Sequence, residues 1–221
     1  MIVWRVCLGF VSVEVVARDL RIINYSEPTF MLMKLREKIK GQVYEVLKPS
    51  LPDSAVLVVI TDNADDPEVI LTKRAEHMSS HAGEVCFPGG KWEDQDASLL
   101  ATALRESHEE VGLLSEWVEV IGGLPPVVSR SGLNVVPYVG LISSDLALSP
   151  SSDELDSVFK VPLRYFMEQG NIEPYQYAYK GQSMAMPSYV YDGYIIWGLT
   201  AYIIIDMLNQ TYNASISLAV R

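Results

Sequence analysis

The sequence predicts an α/β chain whose strands and helices follow a mixed order, and three observations predict it. "SAVLVVIT" and "EVILTKR" are short runs rich in branched side chains on either side of the acidic turn "DNADDP", as in a strand hairpin. "DASLLATALRESHEEV" repeats apolar residues at Leu99, Leu100, Ala103, Leu104 and Val111 with helical recurrence. The segments as a whole show neither a run of βαβ units nor the even spacing of an all-β chain, so helices and sheet are interleaved irregularly.

In order along the chain, residues 1–27 read as an N-terminal extension without a legible role, and residues 28–221 as one domain. Within the extension, "VCLGFVSVEVVA" follows Arg5 as a signal peptide would, but Glu14 interrupts it, and Arg18 and Asp19 close it without a small-residue cleavage site. "EPTFMLMKLREKIKGQ" has a proline near its start, mixed apolar and basic faces and Gly41 near its end, which predicts a surface helix over 28–47. "SAVLVVIT" and "EVILTKR" are then paired strands, and "GEVCFPGG" is a strand stopped by Pro88. The helix that follows would be capped by Asp96 or Ser98. "WVEVIGGL" and "LNVVPYVGLI" predict strands around the turn "PPVVSRSG", Glu154 lies ahead of a short helix, and "IIWGLTAYIIIDMLNQ" closes the chain as a buried helix. The uncharged stretch "YIIWGLTAYIII" ends at Asp206 and falls short of the roughly 20 residues that cross a bilayer.

Composition narrows the function classes. A chain of 221 residues with 49% hydrophobic content buries one substantial core. Its formal charge of −11 argues against nucleic acid or an anionic membrane surface as partner, and an anionic substrate would need local cations. Cys7 and Cys86 are far apart in apolar surroundings, which supports neither a disulfide framework nor a cysteine metal site and fits a reducing cytoplasm. A homodimer remains open.

The chemistry concentrates in "FPGGKWEDQDASLLATALRESHEEVGL", where Gly89 and Gly90 stand close to Asp96, Glu106, Glu109 and Glu110. Residues three and four apart share a helical face, so the three glutamates fall on one stripe and repel one another unless a cation neutralises them. A hard divalent ion with oxygen preference, Mg²⁺ or Mn²⁺, is the natural candidate, and glycines ahead of the helix let backbone groups approach it. The alternative is a solvated acidic face, the commonest fate of a Glu-rich segment.

The whole assembly resembles the Nudix box, G-x5-E-x7-R-E-U-x-E-E-x-G-U with U apolar. Gly90 stands for the leading glycine, Arg105 and Glu106 for the R-E pair, Glu109 and Glu110 for the E-E pair, Gly112 for the late glycine and Leu113 for the last apolar position. Asp96 replaces the early glutamate in a loop one residue longer, and Ser107 takes an apolar position. Upstream, "ILTKRAEHMSSHAGEVCFPGG" is similar to the further signature of the coenzyme A pyrophosphatase branch. Leu71, Thr72, Arg74, Ala75, Gly83, Phe87, Pro88, Gly89 and Gly90 match it, Ile70 varies the first leucine, and Ser79 replaces the second arginine.

The resemblance implies a Nudix-type α/β/α sandwich around a mixed β-sheet, and metal-dependent hydrolysis of a pyrophosphate in a nucleotide such as coenzyme A or a derivative. It implies Glu106, Glu109, Glu110 and the Gly90 carbonyl as metal ligands, and Lys73, Arg74, Gly89 and Gly90 at the substrate. Arg105 is expected to tie down the loop at Asp96. Glu154 matches a late acidic position, as a further ligand, a general base or a helix-terminal charge. His108 lacks the second histidine of a zinc protease helix, since Gly112 stands there, and His77 and His81 flank a loop. Three readings stand: the leading one, a coenzyme A or acyl-coenzyme A pyrophosphatase; a Nudix enzyme for NADH, ADP-ribose or another nucleoside diphosphate derivative, which Ser79 keeps open; and a binding module without catalysis, which the intact carboxylates disfavour.

Overall fold

The computed structural model describes residues 7–8, 11–12, 28–42, 53–129, 131–179 and 182–217. Of the expected N-terminal extension it describes two short antiparallel strands, β1 (Cys7–Leu8) and β2 (Val11–Ser12); the rest lies outside the described residues. Helix α1 (Pro28–Ile39) begins on a proline, whose fixed φ suits a first turn. It stops at Ile39 rather than continuing to 47, because Gly41 turns the chain out at φ 83°; residues 43–47 lie outside the described residues.

The central strand, β3 (Asp53–Thr61), is buried on both faces, as its unbroken aliphatic run requires. It pairs antiparallel with β4 (Glu68–Arg74) only at Val59 with Ile70 and Ile60 with Val69. Beyond those pairs the two strands part. The gap is filled by β5 (Val85–Cys86) on β4 and β6 (Gly89–Lys91) on β3, so the expected strand "GEVCFPGG" becomes two short pieces around Phe87 and Pro88. Helix α2 (Leu99–Val111) follows, capped by the Ser98 hydroxyl, which accepts from the Ala101 amide, and closed by Gly112 at φ 70°.

Three strands come next: β7 (Glu119–Gly123), β8 (Val127–Val128) and β9 (Asn134–Ile142). Then come β10 (Leu155–Pro162) and the short helix α3 (Leu163–Met167). The main sheet has the order β10-β4-β3-β9-β7, and its β3–β9 pairing is parallel while the other pairings are antiparallel. The sheet is therefore mixed, as expected.

A second sheet, absent from the sequence reading, comprises β11 (Ile172–Tyr179), β12 (Gln182–Tyr191) and β13 (Tyr194–Ile196). The closing helix α4 (Gly198–Tyr212) accordingly starts later than expected, since the leading isoleucines pair with β12. Glu154 precedes a strand instead of a helix, so the helix-terminal reading of its charge falls.

Alternation along β3 builds the sandwich. Val58 and Ile60 point to a core shared with Leu35 and Ile39 of α1 and Ile204 and Leu208 of α4. Ala55, Leu57 and Val59 point the other way, to Leu99, Ala103 and Val111 of α2. Among the described residues no helix is long and apolar enough to cross a membrane.

Candidate active site

The parting of β3 and β4 creates the site, because it delivers the two glycines of β6 beneath one face of α2. Gly89 has φ 155°, and a Cβ there would strike the carbonyl of Ala55 and the backbone of Val56. A Cβ on Gly90 would collide with the carboxylate of Glu106. Gly89 thus requires glycine to lie against β3, while at Gly90 a side chain would displace the Glu106 carboxylate from its place.

Glu110 is the buried member of the cluster, with 6% of its surface exposed. Its Oε2 accepts the Gly89 amide at 3.1 Å, and its Oε1 stands 3.9 Å from Nη1 of Arg74. Burial pushes its carboxyl up to about 7, against the Gly89 hydrogen bond and Arg74, with Glu106 and Glu154 adding to the rise. Burial also raises Glu106, opposed by its neighbour Arg105.

Arg105 is the structural hub. Its Nε and Nη2 grip the two oxygens of Asp96 at 2.9 and 3.0 Å, Nη2 reaches the Lys91 carbonyl at 3.2 Å, and Nη1 meets Glu106 and Glu109 at 3.0 Å each. Burial works against the charge on Asp96, but the Arg105 fork, the Glu93 amide and the Thr102 hydroxyl outweigh it and hold the carboxyl below the usual range. The longer loop is therefore pinned to the helix as expected. Ser107, at its apolar position, is buried and donates to the Ala103 carbonyl at 2.7 Å, which satisfies its hydroxyl within the helix.

The glutamates do not all turn the same way. Glu106 and Glu110 face the glycines, while Glu109 is 56% exposed and lies along Arg105. Among the described residues no three His, Cys, Asp or Glu side chains are gathered closely enough to hold an ion as they stand. The donors nevertheless fit a hard divalent cation: the carboxylates of Glu106 and Glu110 flank the glycines of β6, and a cation there would offset the burial that raises Glu110.

Adjacent residues of a strand point to opposite faces, and this separates the two expected substrate cations. Arg74 turns to the α2 side, with Nη2 3.1 Å from Glu154 and Nη1 toward Glu110, while its buried Nε lacks a hydrogen-bond partner. Lys73 pairs with Glu76 at 3.0 Å and Asp156 at 3.5 Å, away from the carboxylates. His81 pairs with Glu84, and His77 and His108 are exposed. The sequence reading missed Ser151, whose hydroxyl and amide hold the Glu109 and Glu110 carbonyls at the end of α2. A contact across some 40 residues between a loop and a helix end leaves no local signal.

The NUDIX domain model matches residues 51–169, the span that carries both glycines, Arg74, Glu154 and all of α2. The chain belongs to the Nudix family. Among its Nudix relatives, an uncharacterised Nudix hydrolase called NudL from Enterobacter sp. (strain 638) is 39% identical over 174 residues, covering 76% of this chain and 90% of that protein. The NudL of Escherichia coli (strain SMS-3-5 / SECEC) is 40% identical over 174 residues with the same coverage of 76% and 90%. Among solved structures, a MutT/nudix family protein from Enterococcus faecalis aligns with a TM-score of 0.48 at 20% identity, covering 78% of this chain and 65% of that one. The NUDIX domain of Shewanella oneidensis NrtR, complexed with ADP ribose, aligns with a TM-score of 0.42 at 23% identity, covering 58% of this chain and 77% of that one.

Proposed function

We propose that this Nudix hydrolase cleaves the pyrophosphate of coenzyme A or an acyl-coenzyme A, yielding phosphopantetheine or its acyl form and adenosine 3′,5′-bisphosphate, with Mg²⁺ or Mn²⁺ bound. The observation that carries the reading is the juxtaposition of buried Glu110, the Gly89 amide and Arg74 in a chain with an acidic excess. A guanidinium there supplies the local cation that an anionic substrate needs. Coenzyme A is favoured over other pyrophosphates by the run from Ile70 to Gly90, which resembles the coenzyme A branch.

Glu106 and Glu110, with the Gly90 carbonyl, are the residues we assign to hold the ion, and Glu109 joins them only by leaving Arg105, which it meets at 3.0 Å. When bound, such an ion screens phosphate charge and lowers the pKa of a coordinated water. Arg105 keeps Asp96 and Glu106 in position, so that Glu106 would present its oxygens to the ion in a set geometry. The unpartnered Nε of Arg74 favours a phosphate oxygen as its acceptor. Glu154, across Arg74 from Glu110, serves either to orient that guanidinium or to accept the proton of the attacking water. Lys73, engaged by Glu76 and Asp156, is left out of the phosphate site.

Ser79 is exposed and offers a neutral hydroxyl where the branch has an arginine, so selectivity for the 3′-phosphate is the demanding test. A panel of coenzyme A, short acyl derivatives, dephospho-coenzyme A, NADH and ADP-ribose, assayed with Mg²⁺ and with Mn²⁺, should give the highest specificity constant for coenzyme A or an acyl derivative. ADP-ribose or NADH proving better by about tenfold or more would replace this reading with a general nucleoside diphosphate hydrolase.

A further inference from the structure

The loop over 143–154 joins β9 to β10 and reaches the end of α2. A helix leaves its last carbonyls without partners of its own. In α2 the amides of Leu113 and Gly112 take the carbonyls of Ser107 and His108, and the next two carbonyls belong to Glu109 and Glu110. Ser151 takes both: its hydroxyl donates to the Glu109 carbonyl, and its amide to the Glu110 carbonyl at 2.9 Å. Two bonds from one residue to successive carbonyls restrain the rotation of the helix end as well as its distance from the loop. The serine side chain is exposed, so water can satisfy the Glu109 carbonyl when the hydroxyl is removed, and the stability at stake is small.

At Glu154 the same loop is fastened to β4. The Glu154 carbonyl accepts the Ala75 amide at 2.8 Å, and its Oε2 stands 3.1 Å from Nη2 of Arg74. From Ser151 to Glu154 the chain spans at most about 10 Å at roughly 3.3 Å per residue, so this piece is a short strut between the end of α2 and the end of β4. Those two elements bring Glu110 Oε1 to 3.9 Å from Nη1 of Arg74. Arg105 ties the helix to the loop ahead of it through Asp96; Ser151 fastens the other end.

We infer that Ser151 is a positioning residue: by holding the last turn of α2 to the Glu154 loop, it sets the Glu110 carboxylate against the Gly89 amide and Arg74. The inference rests on the hydrolase reading for the reaction it serves, while the geometry it concerns can be measured without turnover. Gly89 reports that geometry, because its amide donates to Glu110 Oε2 at 3.1 Å. In Ser151→Ala, hydrogen exchange at the Gly89 amide should quicken by about tenfold or more, the loss expected for a hydrogen bond to a carboxylate, while exchange within β3 and the melting temperature stay close to those of the unaltered protein. With coenzyme A as substrate, kcat should fall by about 10- to 100-fold and KM should change by less than about threefold, since a displaced carboxylate costs alignment more than capture. Ser151→Thr returns a hydroxyl and should restore both the exchange and kcat. Unchanged Gly89 exchange in Ser151→Ala overturns the inference, as does faster exchange with kcat intact, which would make Ser151 a helix cap and nothing more. If the unaltered protein leaves coenzyme A intact, the substrate assignment falls, and Gly89 exchange in the two variants decides for Ser151 by itself.

Discussion

At the scale of single residues, Glu110 combines two demands that conflict in isolation. It is buried, which favours the neutral acid, and it accepts a backbone amide beside a guanidinium, which favours the charge. The cation proposed above would relieve that conflict by favouring the charged carboxylate. Glu110→Gln preserves size and the acceptor for the Gly89 amide while removing the charge. We expect turnover with Mg²⁺ or Mn²⁺ to fall by at least about 100-fold, the loss typical of removing a strong electrostatic contribution, with the circular dichroism spectrum unchanged. Near-normal turnover by the folded variant would remove Glu110 from the metal site. The glycines were legible as places of close approach; their partners were not. Nothing local says that Gly90 yields its space to Glu106 and Gly89 its amide to Glu110.

At the scale of elements, the loop–helix unit stands on Asp96 and Arg105. The sequence reading expected this contact, and the structure adds that the same guanidinium also holds Glu106 and Glu109. It left the cap between two residues, and the structure resolves it: Ser98 caps α2 while Asp96 is occupied by Arg105 and Thr102. Asp96→Asn should cost about 2 kcal/mol, as for a hydrogen-bonded charge, or roughly 4–8 °C in melting temperature. Because the folded protein lowers the Asp96 pKa, its contribution is present above the ordinary aspartate value of about 3.9 and is lost as pH falls through the lowered value. The melting difference between Asp96→Asn and the unaltered protein should therefore hold steady near neutrality and close in acid. A gap that persists unchanged through acid would mean that the aspartate charge is not what pins the loop.

At the scale of the whole molecule, the C-terminal helix is coupled to the site through the sheet it caps. The Thr200 hydroxyl donates to the Val85 carbonyl in β5, the piece of chain that leads into Phe87 and the glycines. Tyr212 makes a second long-range tie, donating to the Met31 carbonyl in α1 at 2.9 Å. Thr200→Val keeps the volume but deprives a buried carbonyl of its donor. It should lower stability by about 1–2 kcal/mol, or roughly 2–8 °C, measured by thermal denaturation. An unchanged melting temperature would show that packing alone holds the start of α4.

Local chemistry is what the amino-acid order specified. Aliphatic runs marked β3, β4 and β9, helical recurrence marked α2, and the spacing of glycines, arginine and glutamates marked the family and the candidate site, because each signal is carried within a few turns or one strand. The end of α1 was misread because its apolar pattern runs on while Gly41 stops the helix. The β11–β13 sheet left no usable pattern, since tyrosines fall on both faces of a strand pair that prolines interrupt and whose burial depends on where it docks. Which of two adjacent cations faces Glu110, how the glutamates divide between glycines and arginines, and where the aromatic face of the hairpin lies were settled only when the chain closed on itself. Those are distances between groups remote in sequence, and folding sets them through packing of the layers.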